Sequence, residues 1–153
     1  MAELTDREYD YYRASAAGDL PLVATEIAKE LHDHWWTEQR FALARERFGE
    51  QLDGRESALK AETSLHLADS LTRLPSDGEL AEELDLFADP VIDGIVTTNF
   101  DPLLEHVRPD FKVFVGQEKL LFGEALGVGE IYKIHGSYED PDSLVLTAAD
   151  YAT

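Results

Sequence analysis

Two short segments of this chain end in side chains that could act together on one small molecule. In Ile95-Val96-Thr97-Thr98-Asn99-Phe100-Asp101 an apolar, β-branched run gives way to an amide and a carboxylate. In Ile131-Tyr132-Lys133-Ile134-His135-Gly136-Ser137 a similar run gives way to an imidazole and a glycine. Such runs suit strands buried on both faces of a parallel sheet, and ligands in such folds sit beyond the carboxyl ends of the strands. Asn99, Asp101 and His135 would stand there. His135 can accept or donate a proton near neutral pH, and the other two can supply a dipole and a negative charge. The plainer alternative for Asn99 and Asp101 is a strand-end turn, with Asp101 before Pro102 as a helix cap. For His135 alone the plainer alternative is a structural histidine.

The elements that must position these groups follow from periodicity and punctuation. Up to Pro90 the chain reads as helices. Thr5 with Asp6 and Glu8 marks a helix start and Gly18-Asp19 its stop. Pro21 opens a second helix, predicted to run to about Phe48 with Gly49 as its end. Leu67, Leu71 and Leu74 share one helical face, as do Leu80, Leu84 and Phe87, and Pro75 to Gly78 reads as a turn. After Pro90 short apolar strands are predicted at 91–98, 111–115, 129–135 and 143–147, with a short helix at 102–107. Strands joined by helical or loop crossovers suggest a parallel sheet. The expected fold class is α/β, an incomplete Rossmann-like parallel sheet preceded by a helical region. Residues 1–153 are read as one domain, 1–90 mainly helical and 91–153 strand-rich.

Composition narrows the partners. A chain of 153 residues buries about 70% of its unfolded surface on folding. The formal net charge of -19 argues against a phosphate-backbone partner, because nucleic-acid binding needs Lys and Arg to neutralise phosphates. With no Cys, neither a disulfide framework nor a thiolate zinc site can form. The first residues lack a basic stretch followed by an apolar one, and no run of about 18 apolar residues occurs. A soluble, cytoplasmic protein without a membrane partner is expected. His32 and His34 lie two apart and do not share a helix face, so they make a poor metal pair. His66 is assigned to packing and His106 to a helix end, where a cation is favoured. Glu82, Glu83 and Asp85 read as a solvated helical face, and Tyr9, Tyr11, Tyr12, Trp35 and Trp36 as core and rim.

Taken in order, TTNFD, a helix reading PLLE, KIHGS and then PDSLVLTAADY resemble the sirtuin superfamily, over about residues 60 to 153. More closely, they resemble the bacterial sirtuin-like NAD hydrolases of antiphage defence, which cleave the bond between nicotinamide and ribose on a Rossmann-type core. The resemblance implies that Asn99 contacts the ribose beside the scissile bond and helps to position water. It implies that Asp101 belongs to the nicotinamide end and that His135 is the base at the ribose hydroxyls. Thr98 and Gly136 would complete the NAD-binding set, NAD being the substrate, with no metal needed. Cleaving an N-glycosidic bond builds positive charge on the ribose, a demand that an amide dipole, a carboxylate and a proton acceptor meet.

Two departures from the family pattern bear on this reading. The chain contains no Gly-Ala-Gly-x-Ser strand end of the kind that holds pyrophosphate, and the cluster from Gly123 to Gly129 includes Glu124 and reads as a loop. It also ends before the Phe-x-Gly-Tyr-Ser-like strand that holds adenosine in the family. The sheet is therefore expected to be incomplete by family standards, or to be completed by a second copy or a partner chain. A catalytically silent sirtuin-like module is the alternative to an NAD hydrolase. Deacylation is third, because deacylating sirtuins usually carry a Cys-ligated zinc module.

Overall fold

The computed structural model describes residues 4–69, 78–88, 91–118 and 129–152. They form two compact units, Met1–Thr63 with Leu144–Thr153, and Ser64–Ser143. Among the described residues no helix is long and apolar enough to cross a membrane.

The first unit is helical. Its elements are α1 (Tyr9–Ser15), α2 (Leu20–Trp35), a 3-10 turn at Gln39–Phe41, α3 (Ala42–Phe48) and most of α4 (Ser57–Ala68). α1 is shorter than its sequence signals predict, because the Thr5 hydroxyl donates to the Arg7 carbonyl (3.2 Å) instead of capping the helix. It ends in a Schellman arrangement. Gly18 N–H donates to Arg13 O (2.9 Å) and Ala17 N–H to Ala14 O (3.2 Å), so Ala17, at φ 51°, takes the left-handed position before the glycine. Asp19 then caps α2, accepting from Leu22 N–H (3.1 Å) with Pro21 in the first turn. Val23, Ile27, Leu31 and Trp35 follow at four-residue spacing and are all buried.

The predicted single helix from Pro21 to Phe48 is interrupted after Trp35. Thr37 and Glu38 N–H both donate to His34 O, and the Arg45 guanidinium reaches back to the carbonyls of Trp35 and Glu38. Helix-end carbonyls that would lack partners thus receive them from a cation, which also suits the helix dipole. The break leaves Trp35 fully buried, with its indole N–H on Glu62 (2.8 Å), and Trp36 half exposed edge-on against it. Burial raises the Glu62 carboxyl above its ordinary value, which the Trp35 bond and the charges of Arg45 and Arg40 offset only in part. Tyr12 is likewise buried, whereas Tyr9 and Tyr11 are exposed.

The strand predicted at 143–147 does not form. Its place is taken by a 3-10 turn at Pro141–Ser143 followed by irregular backbone. Leu146 and Thr147 N–H donate to the Asp150 carboxylate (2.9 and 2.8 Å), and Ala148 N–H to the Thr25 hydroxyl (3.0 Å). The Thr147 hydroxyl bonds Glu56 and Asp150, and Lys60 Nζ pairs with Asp150 at 2.6 Å. Side-chain acceptors therefore satisfy the backbone donors that a sheet ladder would otherwise use.

The second unit carries α5 (Glu79–Ala88), β1 (Gly94–Thr97), α6 (Leu103–Val107), β2 (Lys112–Val115) and β3 (Glu130–Lys133). Leu71, Leu74, residues 75–77 of the predicted turn and residues 123–128 of the glycine cluster lie outside the described residues. Glu82, Glu83 and Asp85 are exposed, as expected of a solvated face. The three strands form the expected parallel sheet in the order β1-β3-β2, with Ile131 beside Ile95 on one side and Val113 on the other. Ile131, Tyr132 and Lys133 of the central strand are buried, whereas Val96 and Val113 of its neighbours are exposed. Phe114 and Tyr132, paired in register, stack at 5.1 Å.

The strands are shorter than their apolar runs. β1 pairs from Asp93 O, which accepts from Gly129 N–H (2.8 Å), to Thr97 O, which accepts from Ile134 N–H (3.0 Å), leaving Val91 fully exposed. β3 stops because Gly136 N–H turns back to Lys133 O (3.3 Å). Arg108 closes the carboxyl end of α5 by donating to Ala88 O (3.0 Å), with its guanidinium over Phe111.

Asp150 gives the first unit a pH signature. Burial pushes its carboxyl up, but the Lys60 ammonium and the N–H groups of Thr147 and Leu146 outweigh this and hold it below the ordinary value of 3.8. A depressed carboxyl adds stability above its unfolded value, which is lost as the pH falls through the folded one. Asp150→Asn is expected to cost about 2 kcal/mol near neutral pH. In urea titrations across pH, the gap between variant and native chain should close in strong acid.

Candidate active site

The carboxyl ends of β1 and β3 lie side by side, since Thr97 pairs with Lys133. Asn99 and His135 each follow two residues after that pair, on adjacent strands whose spacing is about 4.8 Å. Sheet register thus brings the two predicted segments to one edge of the second unit.

Local bonds shape each segment. At the end of β1 the Thr97 hydroxyl accepts from Asn99 N–H (3.0 Å), turning the chain out of the strand. The Asp101 carboxylate accepts from Leu103 N–H (2.9 Å), but the N-cap of α6 is Pro102, so Asp101 stands one residue before the cap position expected of it and turns the chain into the helix from there. At the end of β3, Gly136 has φ 102°, a conformation that L side chains rarely adopt, and it is buried. Beyond it, Ser137 N–H donates to the Ser143 hydroxyl (3.0 Å) and Ser143 donates to Asp140 O (2.6 Å). The two segments are also stitched directly, Tyr138 N–H donating to Phe100 O at 3.1 Å.

A cavity of about 400 Å³ opens beside β1. Leu84, Ile95, Leu104 and Val107 give it apolar walls, and Thr97, Asn99 and Asp101 bring polar groups to it. Its size and its few polar groups suit a small-molecule site. Asn99 is exposed and Asp101 half-buried, so both side chains are accessible from that space. Thr98, His135 and Gly136 do not line the cavity; Thr98 is exposed and His135 half-buried on the neighbouring strand end. Among the described residues no group of three His, Asp or Glu side chains is placed to hold a metal ion.

One buried charge beside the site carries no role in the sequence motifs. Lys133, in the middle of the KIHGS segment, is completely buried, and its ammonium donates to Phe100 O (3.1 Å), Asp101 O (2.6 Å) and Glu105 Oε1 (2.6 Å). The usable signal was a charge inside a strand predicted to be buried on both faces, where a charge requires partners.

Residues 93–153 match the family model of the SIR2-like domain, a span that begins just before β1 and takes in all three strands. It is about two fifths of the chain. Neither the curated proteins nor the solved structures offer a match.

The positive φ of Gly136 makes it a sensitive position. Gly136→Ala is expected to cost on the order of 1–3 kcal/mol, read as a lower urea midpoint with an unchanged denaturant slope.

Proposed function

We propose that this chain binds NAD and hydrolyses it to nicotinamide and ADP-ribose, a reading supported by the match of residues 93–153 to the SIR2-like domain model. The observation that carries this reading is the convergence of Asn99 and Asp101 on one cavity at a strand end, with His135 on the adjacent strand end. In the reaction the bond between the ribose carbon and the nicotinamide nitrogen breaks, its electron pair leaves with nicotinamide, and water adds to the carbon. Asn99 directs its amide dipole toward the positive charge developing on the ribose and helps to orient the water. Asp101 serves the nicotinamide end, its carboxylate held by Leu103 N–H. His135 takes the proton. Thr98 and Gly136 border the bound ribose, and Gly136 permits close approach of the backbone.

The reading extends to a cytoplasmic bacterial enzyme of antiphage defence, supported by the likeness of the TTNFD and KIHGS segments to enzymes of that kind. It includes assembly with a second copy or a partner chain, because among the described residues β1 and β2 each have a strand on one side only. The same open edges favour a second reading, a catalytically silent interaction module.

Nicotinamide release from NAD separates the two. The native chain should turn over, and Asn99→Ala and His135→Ala should each reduce the rate by about 100-fold or more, with the melting temperature unchanged in Asn99→Ala, whose side chain is exposed. A native rate no higher than that of Asn99→Ala, with no saturable heat on titrating NAD or ADP-ribose, would favour the silent module.

A further inference from the structure

Lys133 carries a role that neither the motif nor the proposed reaction assigns. Its ammonium has three N–H donors, and three oxygens take them: Phe100 O, Asp101 O and Glu105 Oε1. With all three engaged and no exposed surface, Lys133 has no donor left for a substrate phosphate or hydroxyl. The carbonyls it holds belong to the two peptide groups on either side of the Asp101 Cα, in the loop that presents Asn99 and Asp101 to the cavity. Glu105 belongs to α6, so the same ammonium also fixes the helix that follows the loop. The backbone bond from Tyr138 to Phe100 O reinforces the tie from beyond His135.

We infer that Lys133 is the positioning residue of this site, a buried clamp that holds the Asn99 and Asp101 loop in register with His135 without touching substrate. The inference rests on the NAD reading for its functional consequence and on geometry alone for the clamp. Glu105 is its partner, with Oε2 buried and lacking a hydrogen bond among the described residues. Removing Lys133 alone strands that carboxylate, whereas replacing both members by apolar groups is often tolerated.

The test compares the full native chain with Lys133→Met and with Lys133→Met/Glu105→Leu, the second variant guarding against a folding failure of the first. Amide hydrogen exchange should quicken at least tenfold at residues 99–105 while the paired amides of β1 and β3 keep their protection. In NAD turnover kcat should fall tenfold or more with KM changed less than threefold. Because the native chain has no cysteine, Lys133→Cys alkylated with 2-bromoethylamine in denaturant and refolded places an ammonium there uniquely. It should recover most of both losses. Undisturbed exchange at 99–105 in a folded double variant would overturn the clamp. So would a defect confined to KM, which would mean contact with substrate, or failure of both variants to fold, which would make Lys133 a folding residue. If native protein releases no nicotinamide, the NAD reading fails by itself, and the exchange measurement still decides the clamp.

Discussion

A buried ammonium organises the sheet unit. Taking a lysine out of water is costly unless its charge and all its donors find partners. Lys133 meets that condition only if the chain after β1 turns its carbonyls inward and α6 brings a carboxylate into reach. The requirement couples three stretches that are distant in sequence: the end of the central strand, the loop after the edge strand and the short helix that follows. α6 has only five residues and would be marginal in isolation. Its position depends on the ion pair with Lys133 and on the bond from Leu103 N–H to the Asp101 carboxylate.

The helical unit applies the same rule with different residues. Lys60 is buried against Asp150, which also collects the N–H groups of Leu146 and Thr147, and Arg45 supplies donors to the carbonyls where α2 stops. Trp35 is fully buried because its one polar atom reaches Glu62. In each case a charged or polar group in the interior selects one backbone path by demanding a partner. That demand explains why irregular segments replace two predicted regular ones, the middle of the long helix and the last strand.

Chemistry at the site builds on this scaffold. The sheet supplies register, the clamp supplies the orientation of the loop, and the accessible side chains of Asn99 and Asp101 face an apolar cavity where electrostatic effects exceed those in water. His135 comes from the neighbouring strand end, so the segment that bears it and the loop that bears Asn99 leave one hydrogen-bonded ladder side by side. In the hydrolytic reading, a small displacement of that loop would be felt as a loss of rate.

The sequence alone determined the parallel α/β class, three of the four strands expected after Pro90, the short helix after Asp101 and the two polar strand ends. It could do so because β-branched runs and an Asp-Pro helix start are local signals whose physics is complete within a few residues. Tertiary structure decided where α2 breaks and why 143–147 is not a strand, since the groups that settle both, Arg45 and Asp150, act across turns that periodicity does not describe. It also decided that β3 lies between β1 and β2, which chain order conceals. Lys133 shows the division most clearly. Its charge was visible in the KIHGS segment, but what a buried charge does depends on which distant carbonyls and carboxylate the fold delivers to it.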